Sequence, residues 1–102
     1  MNTYRDIENK ILTWADEQDL LRENNALAIM NKAVVDMGHL SLAVRMKAQG
    51  RKELLSEGNK PLQVEDEVRE KMGGVVLDLI VLAEIYGISL ENVLLETFNN
   101  RK

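Results

Sequence analysis

Apolar positions recur along this chain at the spacing of α-helices, and polar stretches divide the pattern into four segments. In the third segment the apolar residues repeat in steps of four and three, at Val64, Val68, Met72, Val75, Leu79, Leu82 and Tyr86. This alternation is typical of the buried seam of an antiparallel helical bundle. The pattern predicts one all-α domain over residues 1–102, with helices at about 3–20, 25–49, 62–86 and 89–100.

Residues with helix-capping chemistry stand at the ends of these segments. Thr3 is a predicted N-cap with Asp6 in the first turn, and Ser89 is the predicted N-cap of the last helix. Asn24 and Asn25 offer the cap of the second helix, while Gly50 and Gly87 suit the left-handed turn that ends a helix. The longest turn-like stretch runs from 50 to 61, and the four helices leave little room for strands.

The second helix carries an apolar stripe formed by Leu27, Met30, Val34, Met37, Leu40 and Val44. With only four aromatic residues in the chain, the core is expected to be aliphatic, built from Leu, Ile, Val, Ala and Met. Gly73 and Gly74 interrupt the third helix, where each costs about 1 kcal/mol relative to alanine. We expect them to mark a close approach between two helices. An aliphatic seam of this kind in a thin bundle also predicts that the chain forms a homo-oligomer, either a dimer or a tetramer.

Composition narrows the classes of function. The chain has no cysteine, which excludes disulfides and thiolate metal sites. Its net charge of −4 argues against sequence-independent binding to nucleic acid, and the basic residues near mid-chain are diluted by acidic neighbours. The apolar run from Val75 to Ala83 is too short to span a bilayer and contains Asp78. These features predict a cytoplasmic protein that does not enter membranes.

Several segments in the same order resemble the MazG-like branch of the all-α nucleoside triphosphate pyrophosphohydrolases. They are Ile11–Ala15, Lys32–Val44, Met72–Val76, Leu82–Glu91 and the closing Phe98–Lys102. The resemblance covers nearly the whole chain and implies a four-helix MazG-like bundle completed by oligomerisation.

The acidic elements of that family are mostly replaced in this sequence. By the resemblance, the EExxE motif falls on Val35, Asp36 and His39, and the ExxD motif falls on Lys71 and Gly74. Only Asp36 keeps a carboxylate. Pyrophosphate cleavage needs Mg²⁺, a cation that requires several oxygen ligands. We therefore expect no catalytic residues and no cofactor, with Mg²⁺ the cofactor if the site is active after all.

Three functions remain open from the sequence. The protein could be a catalytically degenerate relative that binds a protein partner, as a regulator or inhibitor of phage type. It could bind a nucleotide without hydrolysing it, and the candidate residues are Lys32, Lys71, Asn99 and Lys102. The alternative is an active pyrophosphohydrolase whose site is rebuilt from Asp36, Glu67, Glu70 and Asp78. If this rebuilt site binds a metal, the expected ligands are Asp36, His39, Glu67 and Asp78.

Asp78 and Lys71 lie on one stripe of the third helix, seven residues apart. A carboxylate in an apolar run is costly to bury without a partner, so we expect Lys71, or a cation of a neighbouring helix, to pair with it. His39 is the only histidine, three residues after Asp36, and a hydrogen-bonded role on the helix is favoured over metal ligation.

Overall fold

The computed structural model of the chain describes residues 3–55 and 61–102. The described chain is mostly helical, which confirms the all-α fold class. Four α-helices occur in this part: α1 (Tyr4–Glu17), α2 (Ala26–Ala48), α3 (Val64–Ile85) and α4 (Leu90–Arg101). A 3-10 turn at Glu23–Asn25 precedes α2, and two short strands, β1 (Glu53–Leu55) and β2 (Pro61–Gln63), lie between α2 and α3.

The start of α1 is fixed by a capping box. The Thr3 hydroxyl accepts a hydrogen bond from the Asp6 backbone N–H at 3.2 Å, and the Asp6 carboxylate accepts from the Thr3 N–H at 3.2 Å. This confirms the predicted N-cap. The helix ends three residues earlier than predicted, because Asp19 adopts a left-handed conformation (φ 59°) and the Leu20 N–H donates to the Ala15 carbonyl.

Local hydrogen bonds hold the turn between α1 and α2. The Asp19 carboxylate accepts from Arg22 Nε at 2.9 Å, and the Asp19 carbonyl accepts from Asn25 Nδ2 at 3.1 Å. Asn25 is therefore the last residue of the 3-10 turn, and its side chain serves the preceding turn rather than the N-terminus of α2. The prediction that it offers the cap of α2 was wrong.

A small antiparallel hairpin, which the sequence pattern did not predict, connects α2 to α3. Glu53 pairs with Gln63 and Leu55 with Pro61 in a two-stranded sheet. The Val64 N–H donates to the Lys52 carbonyl at 2.8 Å, so the hairpin leads directly into the first residue of α3. Strands of three residues are too short to give the alternating pattern by which a strand is recognised.

The glycine and serine at the other helix ends behave as predicted. Gly50 follows α2 with φ 76°, and Gly87 follows α3 with φ 66°, both in the region that L side chains rarely adopt. The Ser89 hydroxyl accepts from the Asn92 N–H at 3.3 Å and caps α4.

The chain divides into two compact units, residues 1–30 with 77–102, and residues 31–76. In the first unit the buried apolar residues are Ala15, Ala26, Ile80, Val81 and Ala83, and an exposed ion pair joins Arg5 to Glu91 at 3.3 Å. In the second unit they are Ala33, Ala43, Val64 and Val75. Within the described chain, the buried apolar core is therefore made of small and β-branched residues.

The faces that α2 and α3 bury differ from the predicted stripes. On α2 the stripe of large apolar residues lies outside, apart from half-buried Leu40, and alanines take the buried positions. On α3, Val64 and Val75 are buried as the seam predicts, whereas Met72, Leu79 and Tyr86 are exposed. Periodicity located both helices, but it misassigned the buried side because each helix carries more apolar residues than its own chain covers.

Candidate functional site

Asp36, the one retained carboxylate of the family pattern, lies on α2 and forms an ion pair within its own helix. Its Oδ2 accepts a hydrogen bond from Lys32 Nζ, one turn earlier, at 3.0 Å. The Asp36 side chain is 14% exposed, while that of Lys32 is 62% exposed. The carboxylate thus faces the interior of its unit, and the ammonium group covers it from the solvent side.

Gly74 of α3 lies directly against this carboxylate. A Cβ atom added at Gly74 would meet Asp36 Oδ2 at 3.3 Å and Asp36 Cγ at 3.6 Å. The expected close helix–helix approach is therefore present at Gly74. It is absent at Gly73, where an added Cβ would have no described atom within 4 Å, so that half of the expectation was wrong.

The structure thus brings together Asp36 and Gly74, one residue from each of the two positions at which the resemblance places acidic motifs. Val35 and His39, the other two residues of the first motif, are exposed on α2. Lys71, three residues before Gly74, is half-buried on α3. The carboxylate that the family pattern would provide at position 74 is replaced by a residue with no side chain.

The carboxylates proposed for a rebuilt metal site are distributed between the two units. Glu67 is half-buried and Glu70 exposed in the unit of residues 31–76, whereas Asp78 belongs to the other unit and is buried, with 3% of its surface exposed. Across residues 3–55 and 61–102, no group of three or more His, Cys, Asp or Glu side chains is arranged to hold a metal ion.

The four candidate nucleotide-binding residues have different surroundings. Lys32 is engaged by Asp36, and Asn99 is exposed near the end of α4. Lys102 Nζ lies 5.1 Å from the centroid of the Phe98 ring, within the range of a cation–π contact. Lys71 is half-buried on α3, and the expectation that it, or a cation of a neighbouring helix, pairs with Asp78 stays a prediction.

The basic residues near mid-chain border a shallow cavity of about 350 Å³ where α2 ends and α3 begins, lined in part by Lys47, Arg51 and Lys52. Glu65, in the first turn of α3, also lines it and is ion-paired to Lys47. The hydrogen bond from Lys47, together with its charge, lowers the pKa of Glu65. Glu65, which belongs to the same unit, therefore neutralises part of the positive charge around the cavity, as expected of a solvated surface.

A second cavity, of about 410 Å³, lies in the other unit and is lined by Tyr4, Glu91, Leu94 and Leu95. The pKa of Tyr4 is raised to about 12. The largest cause is partial burial, followed by the hydrogen bond and charge of Glu8 and then by the charge of Glu91. The phenol therefore stays protonated at neutral pH. Apart from Tyr4 and Glu91 the lining is aliphatic, which offers little that could act on a substrate.

No protein-family model matches this chain, and no match to it was found among curated proteins. Among the described residues, the helical stretch Glu23–Ala48 is long and apolar enough to cross a membrane, as judged by length and composition. A mostly buried core helix of a soluble protein and a signal sequence near the N-terminus satisfy the same test, and 11% of the apolar stretch that satisfies it here is buried.

Proposed function

We propose that this protein is a catalytically degenerate relative of the MazG-like pyrophosphohydrolases and acts by binding another protein. The observation that carries the proposal is the set of large apolar side chains on the outside of α2, among them Leu27, Val34 and Met37. Soluble proteins seldom leave such continuous apolar surface in water, and patches of this kind mark sites of protein interaction.

The surroundings of Asp36 support the absence of catalysis. A Mg²⁺ ion that cleaves pyrophosphate is held by carboxylate and phosphate oxygens in nearly octahedral geometry. Here the carboxylate already accepts a hydrogen bond from an ammonium group, and the facing position 74 supplies no oxygen ligand from a side chain. The positive charge of Lys32 already neutralises the one acid that remains, which disfavours a second cation at the same oxygen.

Nucleotide binding without hydrolysis is the second candidate, and Lys71 favours it. This ammonium group is half-buried, and no hydrogen bond or ion pair to another described residue engages it. A phosphate group would supply the missing counter-charge. Under this alternative, Lys71→Ala lowers nucleotide affinity and leaves the melting temperature nearly unchanged.

The enzymatic alternative is tested by screening the purified chain against canonical and modified nucleoside triphosphates with Mg²⁺ and with Mn²⁺. We expect no pyrophosphate release above background and no stabilisation by nucleotide in a parallel melting assay. Turnover by the native chain that disappears in Asp36→Ala would overturn the proposal. Stabilisation by nucleotide that disappears in Lys71→Ala would favour the second candidate instead.

A rebuilt variant provides the matched control for this screen. Four substitutions restore the acidic pattern implied by the resemblance: Val35→Glu, His39→Glu, Lys71→Glu and Gly74→Asp. If the site has the geometry of the family, Mn²⁺ should raise the melting temperature of this variant and leave that of the native chain unchanged. A variant that folds and ignores the metal would count against the family relationship.

The binding part of the proposal is tested by site-specific photo-cross-linking in cells. A photoreactive amino acid at Val34, on the exposed apolar side of α2, should form a covalent adduct with a protein. The same residue at Asp16, exposed on the polar side of α1, serves as the control and should form none. Equal labelling from both positions would contradict the proposal.

A further inference from the structure

Helix α4 leaves its apolar side chains uncovered. The structure describes this helix along its whole length, and none of its residues is buried. Leu94, Leu95 and Phe98 fall at helical spacing on one side of the helix, and between 58% and 61% of the surface of each is accessible. We call these three residues the α4 face. An exposed apolar surface of this kind marks a site at which another molecule packs.

Two carboxylates stand at one end of the α4 face. Glu91 lies one helical turn before Leu94 and Leu95, and a cavity of about 410 Å³ lined by these three residues and Tyr4 opens there between α1 and α4. Glu8 of α1 is half-buried and hydrogen-bonded to the Tyr4 phenol. Besides partial burial and this hydrogen bond, the charges of both carboxylates raise the pKa of Tyr4, so their field reaches the cavity. We call Glu8 and Glu91 the acidic end of the α4 face.

The unit that contains α1 and α4 is itself acidic. Residues 1–30 and 77–102 include five Lys or Arg and ten Asp or Glu, which gives a net charge of −5. Residues 31–76 include eight Lys or Arg and seven Asp or Glu, which gives +1. The negative charge of the chain is therefore concentrated in the unit that carries the α4 face. This sign favours a cationic partner and disfavours nucleic acid, anionic lipid and a second copy of the same unit.

A cation of the chain already contacts the acidic end. Arg5 Nη2 lies 3.3 Å from Glu91 Oε2, and the two side chains are 77% and 56% exposed. Ion pairs as exposed as this one contribute little to stability, because water and salt screen them. A cation from another molecule can therefore replace Arg5 beside Glu91 at little cost to the fold.

We propose that the α4 face binds a basic amphipathic helix of another protein, whose cations lie at the acidic end. Apolar side chains of the partner pack on the α4 face, and a Lys or Arg of the partner takes the place of Arg5. The inference adds a second surface, and the chemistry of its partner, to the protein binding proposed above for α2.

The opposite end of the α4 face sets the direction of the partner. Lys102 Nζ lies 5.1 Å from the centroid of the Phe98 ring, so further cations are repelled at that end. Glu91 lies in the first turn of α4, whereas the last turn of a helix is the place where its dipole favours cations. A partner helix with cations in its last turn therefore lies antiparallel to α4.

The full chain should be titrated into a fluorescein-labelled helical peptide of about 14 residues, or four turns. The peptide carries leucines at steps of three and four and lysines in its last turn. Fluorescence anisotropy should show binding that weakens as NaCl is raised, since salt screens the charge. A peptide with glutamates in place of the lysines should bind about tenfold more weakly or less. No binding of the lysine peptide, or equal affinity for the two peptides, would overturn the proposal.

Substitutions on α4 locate the bound peptide. Leu94→Ser/Leu95→Ser should weaken its binding about tenfold, because the contact area loses two apolar side chains. Val93→Ser, on the opposite side of the helix, should leave the affinity unchanged. Glu91→Gln should weaken binding more than Glu96→Gln, which changes the net charge equally but lies on the opposite side. Far-UV circular dichroism verifies that each variant keeps its helices, and equal effects within either pair would overturn the proposed site.

Arg5 supplies a test with the opposite sign. Arg5→Gln releases Glu91, so it should strengthen binding of the lysine peptide about threefold. Lys10→Gln changes the net charge by the same amount on the opposite side of α1 and should have a smaller effect. Weaker binding by Arg5→Gln would contradict the replacement of Arg5 by a cation of the partner.

Two outcomes would assign the α4 face to another occupant and overturn the proposal. The first is a dimer in sedimentation equilibrium that becomes monomeric in Leu94→Ser/Leu95→Ser, which would indicate a second copy. The second is binding to phosphatidylglycerol vesicles that is lost in the same variant, which would indicate a lipid surface.

The inference and the proposed function fail separately. Val34→Glu/Met37→Glu alters the exposed apolar side of α2 and should leave the affinity for the lysine peptide unchanged. Loss of peptide binding in this variant, with its helices intact, would place the peptide on α2 and overturn the α4 site. Absence of cross-linking from Val34 would contradict the function proposed for α2 whatever affinity the peptide has for α4.

Discussion

The two sides of α2 contain apolar residues at the same sequence spacing, yet the chain buries only one of these sides. The buried side, which we call the inner seam, contains Ala26, Ala33 and Ala43. It is rich in alanine, so neighbouring backbone can approach it closely, as Gly74 does at Asp36. The other side has larger residues that remain accessible, and we call it the outer seam: Leu27, Met30, Val34, Met37 and Val44. The comparison shows that the size of side chains, rather than their apolarity, distinguishes the face of α2 that this chain buries from the face that it leaves exposed.

The strongest test of this comparison enlarges one buried and one exposed alanine of α2. Ala43 has no exposed surface, so Ala43→Leu should overpack the inner seam and cost about 1–3 kcal/mol of unfolding free energy. Ala28 is exposed, so Ala28→Leu should change stability by less than about 0.5 kcal/mol. Urea denaturation at one protein concentration measures both. Equal losses would remove the distinction between buried and exposed positions of the helix.

A second test uses the adjacent glycines of α3. Gly73→Ala should stabilise the protein by about 0.5–1 kcal/mol, because alanine favours the helix and nothing in the described chain blocks the new methyl group. Gly74→Ala gains the same propensity but must displace the Asp36 carboxylate, which lies 3.3 Å from the added Cβ. We expect the second variant to be clearly less stable than the first in thermal melting. Equal stabilisation by the two substitutions would show that the Asp36 carboxylate can move aside without a measurable cost in free energy.

Trimming the outer seam should have a smaller effect on the single chain. At high dilution, Val34→Ala removes little packing within the monomer and should change its unfolding free energy by less than about 0.5 kcal/mol. At higher concentration the native chain should melt at a higher temperature than the variant, since association stabilises the folded state by mass action. A loss of stability that does not depend on concentration would place Val34 in the monomer core.

The smallest expected effect concerns pH and the ion pair that links the end of α2 to the start of α3. Lys47 lowers the pKa of Glu65, so the pair stabilises the fold above the ordinary glutamate pKa of about 4.3. That contribution is lost as the pH falls through the lowered pKa. Lys47→Met should flatten the acid limb of the melting profile slightly, and Lys52→Met, which alters an exposed cation nearby, should leave it unchanged.

The number of helices and most of their ends could be predicted from the sequence, because capping is local chemistry. Thr3, Gly50, Gly87 and Ser89 each act through atoms a few residues away. The buried faces could not be predicted in the same way. Burial depends on which other element approaches, and α2 offered two apolar sides with the same period.

The candidate site was predicted only in part for a similar reason. The resemblance aligned Asp36 and Gly74 with two acidic motifs, and the structure places these residues in contact. The partner of Asp36 was missed, although Lys32 stands four residues earlier, at the spacing of a helical ion pair. The resemblance assigns Lys32 to phosphate binding, whereas the structure pairs it with the acid one turn further along the helix.

The turn between α1 and α2 has a consequence for how the chain folds. Its hydrogen bonds join residues no more than six positions apart, from Asp19 to Asn25. Loops this short close within about 10–100 ns, well before distant segments can meet. The turn can therefore form early and at low entropic cost, and substitutions such as Asn25→Ala should slow refolding rather than accelerate unfolding.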